Sequence, residues 1–251
     1  MITNVVVDIE GTTSSLAYVR EHVFGFASRR LADWIAVNRG RPEAAAVLAE
    51  TRLLAGRPDA SEDDCVEILL SWARQDAKVA ALKDAQGHIW REALRAGELE
   101  AHFYPDVAPA LRRWTAFGLR VYVFSSASVE AQRAWFYHCP GGSLAPCLSG
   151  YFDTRSAGPK KEAASYSAIA DSVGAAGQSL LFLSDVAAEL DAAAAVGWRT
   201  VLVRREEARD QRGWHTEVSS FAEVSLSGPA ATQWEKRTWG RSLSARRAGG
   251  C

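Results

Sequence analysis

Short, nearly continuous apolar runs alternate with segments of helical period along this chain. The runs are NVVVDI at 4–9, LRVYVFS at 119–125, SLLFLSD at 179–185 and RTVLVR at 199–204. They are rich in Val, Leu and Phe and lack clean alternation, as strands covered on both faces should. GYFDT at 150–154 is a shorter run of the same kind. Strands alternating with helices predict an α/β fold with a mostly parallel sheet.

Residues 10–118 separate the first two runs, far more than a strand-to-strand crossover needs. This stretch is helical in pattern. Leu16, Val19, Val23, Ala27, Leu31 and Trp34 recur three or four apart and predict one amphipathic helix. Residues 40–60 suggest another helix between Gly/Pro turns. Ser61 with Asp64 resembles a capping box, and Val66, Leu69, Leu70 and Ala73 then mark a further apolar face. A helix from about Val79 to Ala96 stops at Gly97. His88 and Trp90 on it are read as core and boundary residues, with facing the substrate as the alternative. Another helix runs from near Pro105–Asp106 to Gly118. The expected organisation is an α/β core from 1–14 and 101–226, a helical cap at 15–100, and a disordered tail at 227–251. That tail has five basic residues and one acid, with no sustained period.

Composition excludes more than it identifies. Apolar residues make up 48% and charged ones 24%, ordinary for a globular protein. A net charge of -1 offers no general attraction for nucleic acid or an anionic membrane. No apolar run approaches the ~20 residues of a membrane span, and the first residues do not read as a signal peptide. The expectation is a cytoplasmic, monomeric protein with no nucleic-acid or membrane partner. Cys65, Cys139, Cys147 and Cys251 form no C-x-x-C pair and are read as free thiols.

In open α/β sheets, ligands bind beyond the carboxyl ends of the strands. The first run ends in Asp8, with Glu10 two residues on; VYVFSS ends in Ser125 and Ser126; LLFLSD ends in Asp185. GPKKEAASY adds Lys160 and Lys161. Two acids from different strands suit a hard cation of the Mg²⁺ type, and hydroxyls with an ammonium suit a phosphate. Together they predict a phosphoryl-transfer site with a carboxylate as nucleophile. Asp8 and Glu10 could instead be turn formers, the serines turn chemistry, and Asp185 the N-cap of the next helix.

D-x-[DE]-G-T, a strand ending in Ser, a loop lysine and a strand ending in Asp follow the motif order of the haloacid dehalogenase superfamily. DIEGTT, QGHIWREALRAGEL, VYVFSSASVEAQ, GYFDT and LFLSDV resemble the enolase-phosphatases, or acireductone synthases, over roughly 3–226. The resemblance implies a Rossmannoid three-layer sandwich with an all-helical cap after the first strand. It implies that Asp8 is the nucleophile, passing through an aspartyl phosphate, and also a ligand of one Mg²⁺ per chain. Glu10 would contact the metal through its carbonyl and use its side chain for acid–base work; Asp185 would complete the metal shell. Ser125 and Ser126 would bind the phosphate. Counting back from Tyr166, the family pattern selects Lys160 over Lys161 to neutralise the transferring group. Glu189 would orient a metal-bound water, and Thr12 would help hold the nucleophile. The implied substrate is the phosphorylated diketone 2,3-diketo-5-methylthiopentyl-1-phosphate of methionine salvage, enolised and then dephosphorylated to the acireductone.

Enolisation removes a proton from C1, the carbon bearing the phosphate ester. Glu exceeds Asp by one methylene, about 1.5 Å of reach, so Glu10 is the expected base, with His88 and Lys160 as rivals. Another capped phosphatase of the superfamily, acting on a small phosphomonoester, is the alternative function. A non-catalytic binding protein is the reading from another class.

Overall fold

The computed structural model describes residues 1–77, 79–205 and 214–226. The expected tail at 227–251, with Cys251, lies outside them. In chain order the elements begin with β1 (Asn4–Val7), α1 (Leu16–Tyr18), α2 (Gly25–Val37), α3 (Pro42–Leu54), α4 (Glu62–Arg74) and α5 (Ala80–Ala96). They continue with α6 (Val107–Ala116), β2 (Arg120–Phe124), α7 (Val129–Tyr137), β3 (Gly150–Phe152) and α8 (Ala163–Val173). The last are β4 (Leu180–Ser184), α9 (Ala187–Ala195), β5 (Arg199–Val203) and β6 (Thr216–Val218). None of the described helices is long and apolar enough to cross a membrane.

The chain forms two compact units. One comprises Met1–Thr13, Tyr104–Ser125 and the described residues from Cys147 onward; the other comprises Ser14–Phe103 with Ser126–Pro146, the latter stretch carrying α7.

The first unit is built on one parallel sheet in the order β3-β2-β1-β4-β5-β6. The chain winds outward from β1 through β2 to β3, then returns to the other side of β1 for β4. That reversal opens a crevice beyond the carboxyl ends of β1 and β4. Val5, Val6 and Val7 have no exposed surface, so the central strand reads as an unbroken apolar run. On one face, Val6, Phe124, Leu180 and Phe182 pack with Tyr166 and Ile169 of α8 and Leu190 and Ala193 of α9. The α/β class and parallel sheet expected from the chain are therefore present.

The sixth strand was not anticipated, because β6 is three residues long and only Val218 is buried. Just before it, His215 is buried at 3% exposure. Its Nδ1 lies 2.7 Å from Thr200 Oγ1, and its Nε2 lies 3.1 Å from Asp191 Oδ1. Burial outweighs the pull of the Asp191 carboxylate and holds the imidazole pKa below the ordinary histidine value. With the folded pKa below the unfolded one, the unfolded chain takes up the proton first as pH falls. Stability present above about pH 6.5 is therefore lost on acidification. His215→Gln should flatten the fall of Tm between about pH 7 and pH 5. A slope identical to that of the wild type would remove His215 as its source.

The second unit is helical. Ala27, Leu31, Trp34, Leu48, Leu69, Leu82 and Ile89 form its core. The capping box at Ser61 and Asp64 has both reciprocal bonds. α5 ends at Gly97 in the left-handed conformation, φ 72°. The stripe from Leu16 to Trp34 does not lie on one regular α-helix, since Val19–Phe24 is a π-helical turn. Val19, Val23, Ala27 and Leu31 step by four residues, more than the 3.6 of an α-turn, and the wider turn keeps Val19 and Val23 buried. His88 stacks on Trp34, ring centroids 5.4 Å apart, and Trp90 Nε1 donates to the Val23 carbonyl at 2.9 Å. Cys65, Cys139 and Cys147 are free thiols.

Candidate active site

Asp8 follows β1 directly and is 4% exposed. Its N–H donates to the Leu183 carbonyl at 3.0 Å, carrying the β1–β4 ladder to the strand end. The chain then turns sharply. The N–H groups of Thr12 and Thr13 both donate to the Ile9 carbonyl, at 3.2 and 3.0 Å. Thr13 Oγ1 donates to the Asp8 carbonyl at 3.1 Å. Ile9 is buried, and Glu10 is half-buried on the turn. Gly11 adopts φ +77°, and a Cβ there would lie 2.4 Å from Asp185 Oδ2. The Asp185 carboxylate thus lies over the bare α-carbon of Gly11, an approach only glycine permits.

Lys160 reaches the same place. Its Nζ lies 2.6 Å from Asp8 Oδ1 and 2.7 Å from Glu189 Oε2, with 9% of the side chain exposed. Tyr166 Oη anchors the lysine by donating to its carbonyl at 2.7 Å, and Lys161 is exposed. Burial disfavours the ammonium, but the Asp8 and Glu189 charges outweigh it and hold the Lys160 pKa above the ordinary lysine value. Burial raises the Glu189 carboxyl; Lys160 pulls it back, and the charge on Asp8 adds to the rise. Ser184 Oγ donates to Glu189 at 3.0 Å, fixing the acid that fixes the lysine.

Asp8, Lys160 and Asp185 are therefore gathered at the β1–β4 edge. Ser125 directly follows the neighbouring β2, is 2% exposed, and donates its N–H to the Phe152 carbonyl at 3.2 Å. Ser126 opens the return into the helical unit, where its carbonyl accepts from Lys83 Nζ at 3.4 Å.

Three details differ from the sequence-based expectations. Thr13, not Thr12, bonds the nucleophile candidate; Thr12 Oγ1 instead accepts the Asp185 N–H at 2.9 Å. Glu189 pairs with Lys160, a partner the sequence did not indicate. Asp185 does not cap α9: Val186 is the N-cap residue, and its N–H is taken by Ser184 Oγ at 3.1 Å. A dipeptide of threonines and two acids four apart cannot reveal which partner each chooses, because strand crossing sets the choice.

Carboxylates and a buried ammonium at the switch point of a parallel sheet define a phosphoryl-transfer class of α/β hydrolase. The model of the haloacid dehalogenase-like hydrolases matches residues 2–197, and the chain belongs to that family. An enolase-phosphatase E1 of Nocardia farcinica is 49% identical over 229 residues, 90% of this chain and 98% of that protein. Another, of Streptomyces avermitilis, is 44% identical over 92% of this chain and 98% of its own length. Within the family, the chain belongs with the enolase-phosphatases. A solved structure of the yeast UTR4 protein matches with TM-score 0.75 and 26% identity, over 89% of this chain and all of that one. CbbY from Rhodobacter sphaeroides, at 17% identity and TM-score 0.59, shares the fold.

Proposed function

We propose that this enzyme converts 2,3-diketo-5-methylthiopentyl-1-phosphate to the acireductone 1,2-dihydroxy-3-keto-5-methylthiopentene. The observation that carries the reading is the Lys160–Asp8 pair at 2.6 Å, set on the sheet edge that also bears Asp185. It stands in a chain nearly half identical to a curated enolase-phosphatase over almost its full length.

In this reading Asp8 attacks phosphorus, the bond to the C1 oxygen breaks, and water later hydrolyses the aspartyl phosphate. Lys160 offsets charge on the transferring group, with Glu189 keeping the ammonium in place. Ser125 and Ser126 bind the phosphate oxygens, and the helical insertion at 15–100 serves as the cap. Asp8 and Asp185 offer carboxylate oxygens and Glu10 a carbonyl, the hard donors that Mg²⁺ takes. No group of three His, Cys, Asp or Glu side chains among the described residues forms a metal cage. Two carboxylates and a carbonyl still fit Mg²⁺, which keeps several waters. When bound, the ion would neutralise charge on the phosphate and the nucleophile.

Glu10 serves both half-reactions, as base in the first and as acid in the second. It takes the C1 proton, leaving the enolate at C2, and returns a proton to the bridging oxygen as phosphate leaves. Lys160 is a poor rival, since an ammonium held above the usual lysine pKa has no lone pair to accept a proton. Two measurements test the reading. The diketo substrate should yield phosphate together with the enediol absorbance of the acireductone; phosphate without it would leave a general phosphomonoesterase. Glu10→Gln should stop solvent deuterium exchange at C1 while the ester survives, and unimpaired exchange would remove Glu10 as the base.

A further inference from the structure

Arg205 follows β5 and is almost wholly buried, its side chain 7% exposed. Its Nε and Nη2 both donate to the Thr12 carbonyl, at 3.1 and 3.0 Å. Its Nη1 lies 3.0 Å from each Asp106 carboxylate oxygen and donates to the Ser219 carbonyl at 3.0 Å. The guanidinium is layered on Tyr104, 4.2 Å from the ring centroid, with Phe221 at 5.2 Å. Asp106 also accepts the Phe221 N–H at 2.6 Å and the Ser220 hydroxyl at 3.0 Å.

Docking the chain at 219–221 does not require the two bonds to Thr12. Asp106 already holds Phe221 and Ser220, and the bonds from Nε and Nη2 lead elsewhere. They fix the direction of one carbonyl on the turn that carries Asp8 and Glu10. That residue has no exposed surface, and its hydroxyl accepts the Asp185 N–H at 2.9 Å. Thr12 is therefore held on one side by Arg205 and holds Asp185 on the other. A planar guanidinium makes these contacts as a rigid five-donor fork that also stacks on Tyr104, whereas a lysine ammonium is a compact point charge on a flexible stem.

We propose that Arg205, oriented by Asp106, is a positioning residue that sets the turn after β1 against Asp185 and thereby sets the affinity of the cation site. The proposal rests on the reading of Asp8, the Glu10 carbonyl and Asp185 as that site. Partners one shell out from metal ligands typically govern affinity 10–100-fold, and this clamp acts through main-chain atoms of the turn.

The test is Mg²⁺ binding to the substrate-free full-length protein by calorimetry, for wild type, Arg205→Lys, Arg205→Ala and Asp185→Asn. Circular dichroism selects the folded variants, and the lysine variant serves if the alanine one does not fold. Arg205→Lys and Arg205→Ala should weaken Mg²⁺ binding about 10–100-fold. Their kcat should recover as Mg²⁺ is raised, with the substrate KM unmoved. Methylguanidinium should restore Mg²⁺ affinity to Arg205→Ala. A folded Arg205 variant that binds Mg²⁺ as the wild type does would overturn the proposal and leave the site reading standing. A wild type that binds no Mg²⁺, or an Asp185→Asn that binds it equally well, would overturn both.

Discussion

Asp8→Asn should lower phosphate release by roughly 10⁴-fold or more, because an amide oxygen does not form the covalent phosphoryl intermediate. The same substitution removes one of the two carboxylates around Lys160 and leaves the ammonium to Glu189 alone, at 2.7 Å. Enolisation uses a different group, so deuterium exchange at C1 should persist in this variant. The phosphorylated enol would then accumulate where the wild type makes the acireductone. Phosphate release within about 100-fold of wild type would displace Asp8 from the role of nucleophile. Loss of exchange together with phosphate release would instead mean that the two half-reactions share Asp8.

Gly11→Ala should also impair the enzyme strongly, because two costs combine in it. At φ +77° any Cβ is strained, by about 1–3 kcal/mol. The new methyl would also sit 2.4 Å from Asp185 Oδ2 and 2.6 Å from its Cγ. Asp185 cannot simply retreat, since its N–H is tied to Thr12 and its side chain is short. The carboxylate must rotate out of place, and kcat/KM should fall about 100-fold, the scale of a misplacement near 1 Å. Gly97→Ala is the matched control. It has φ +72° with nothing within 4 Å of the added carbon, so it carries strain alone. Equal losses of activity in the two variants, measured beside their Tm values, would show that contact with Asp185 is irrelevant.

Much of the site was legible because strand ends are legible. Apolar runs of four or five residues that stop at Asp8, Ser125 and Asp185 place those groups on one edge as soon as the strands are parallel. Lys160 was chosen over Lys161 by the family pattern counted back from Tyr166, and the Tyr166 hydroxyl holds the Lys160 carbonyl. Glu189 was visible as an acid, but its partner was not. Arg205 and Asp106 carried no signal at all, being a loop arginine and an acid before a helix, 99 residues apart.

The difference has a physical basis. Periodicity, capping and strand composition are local, acting through the chain's own backbone, so the sequence by itself determined the elements and the order in which they deliver Asp8, Ser125, Lys160 and Asp185. Even there, the stripe from Leu16 concealed a π-turn, because four-residue steps fit more than one winding. The pairing of buried charges is non-local. Each must find a counter-charge wherever the packed sheet brings one within about 3 Å. Only the tertiary structure decided that Glu189 holds Lys160, that Thr13 rather than Thr12 bonds Asp8, and that Arg205 secures the turn on which the two acids stand.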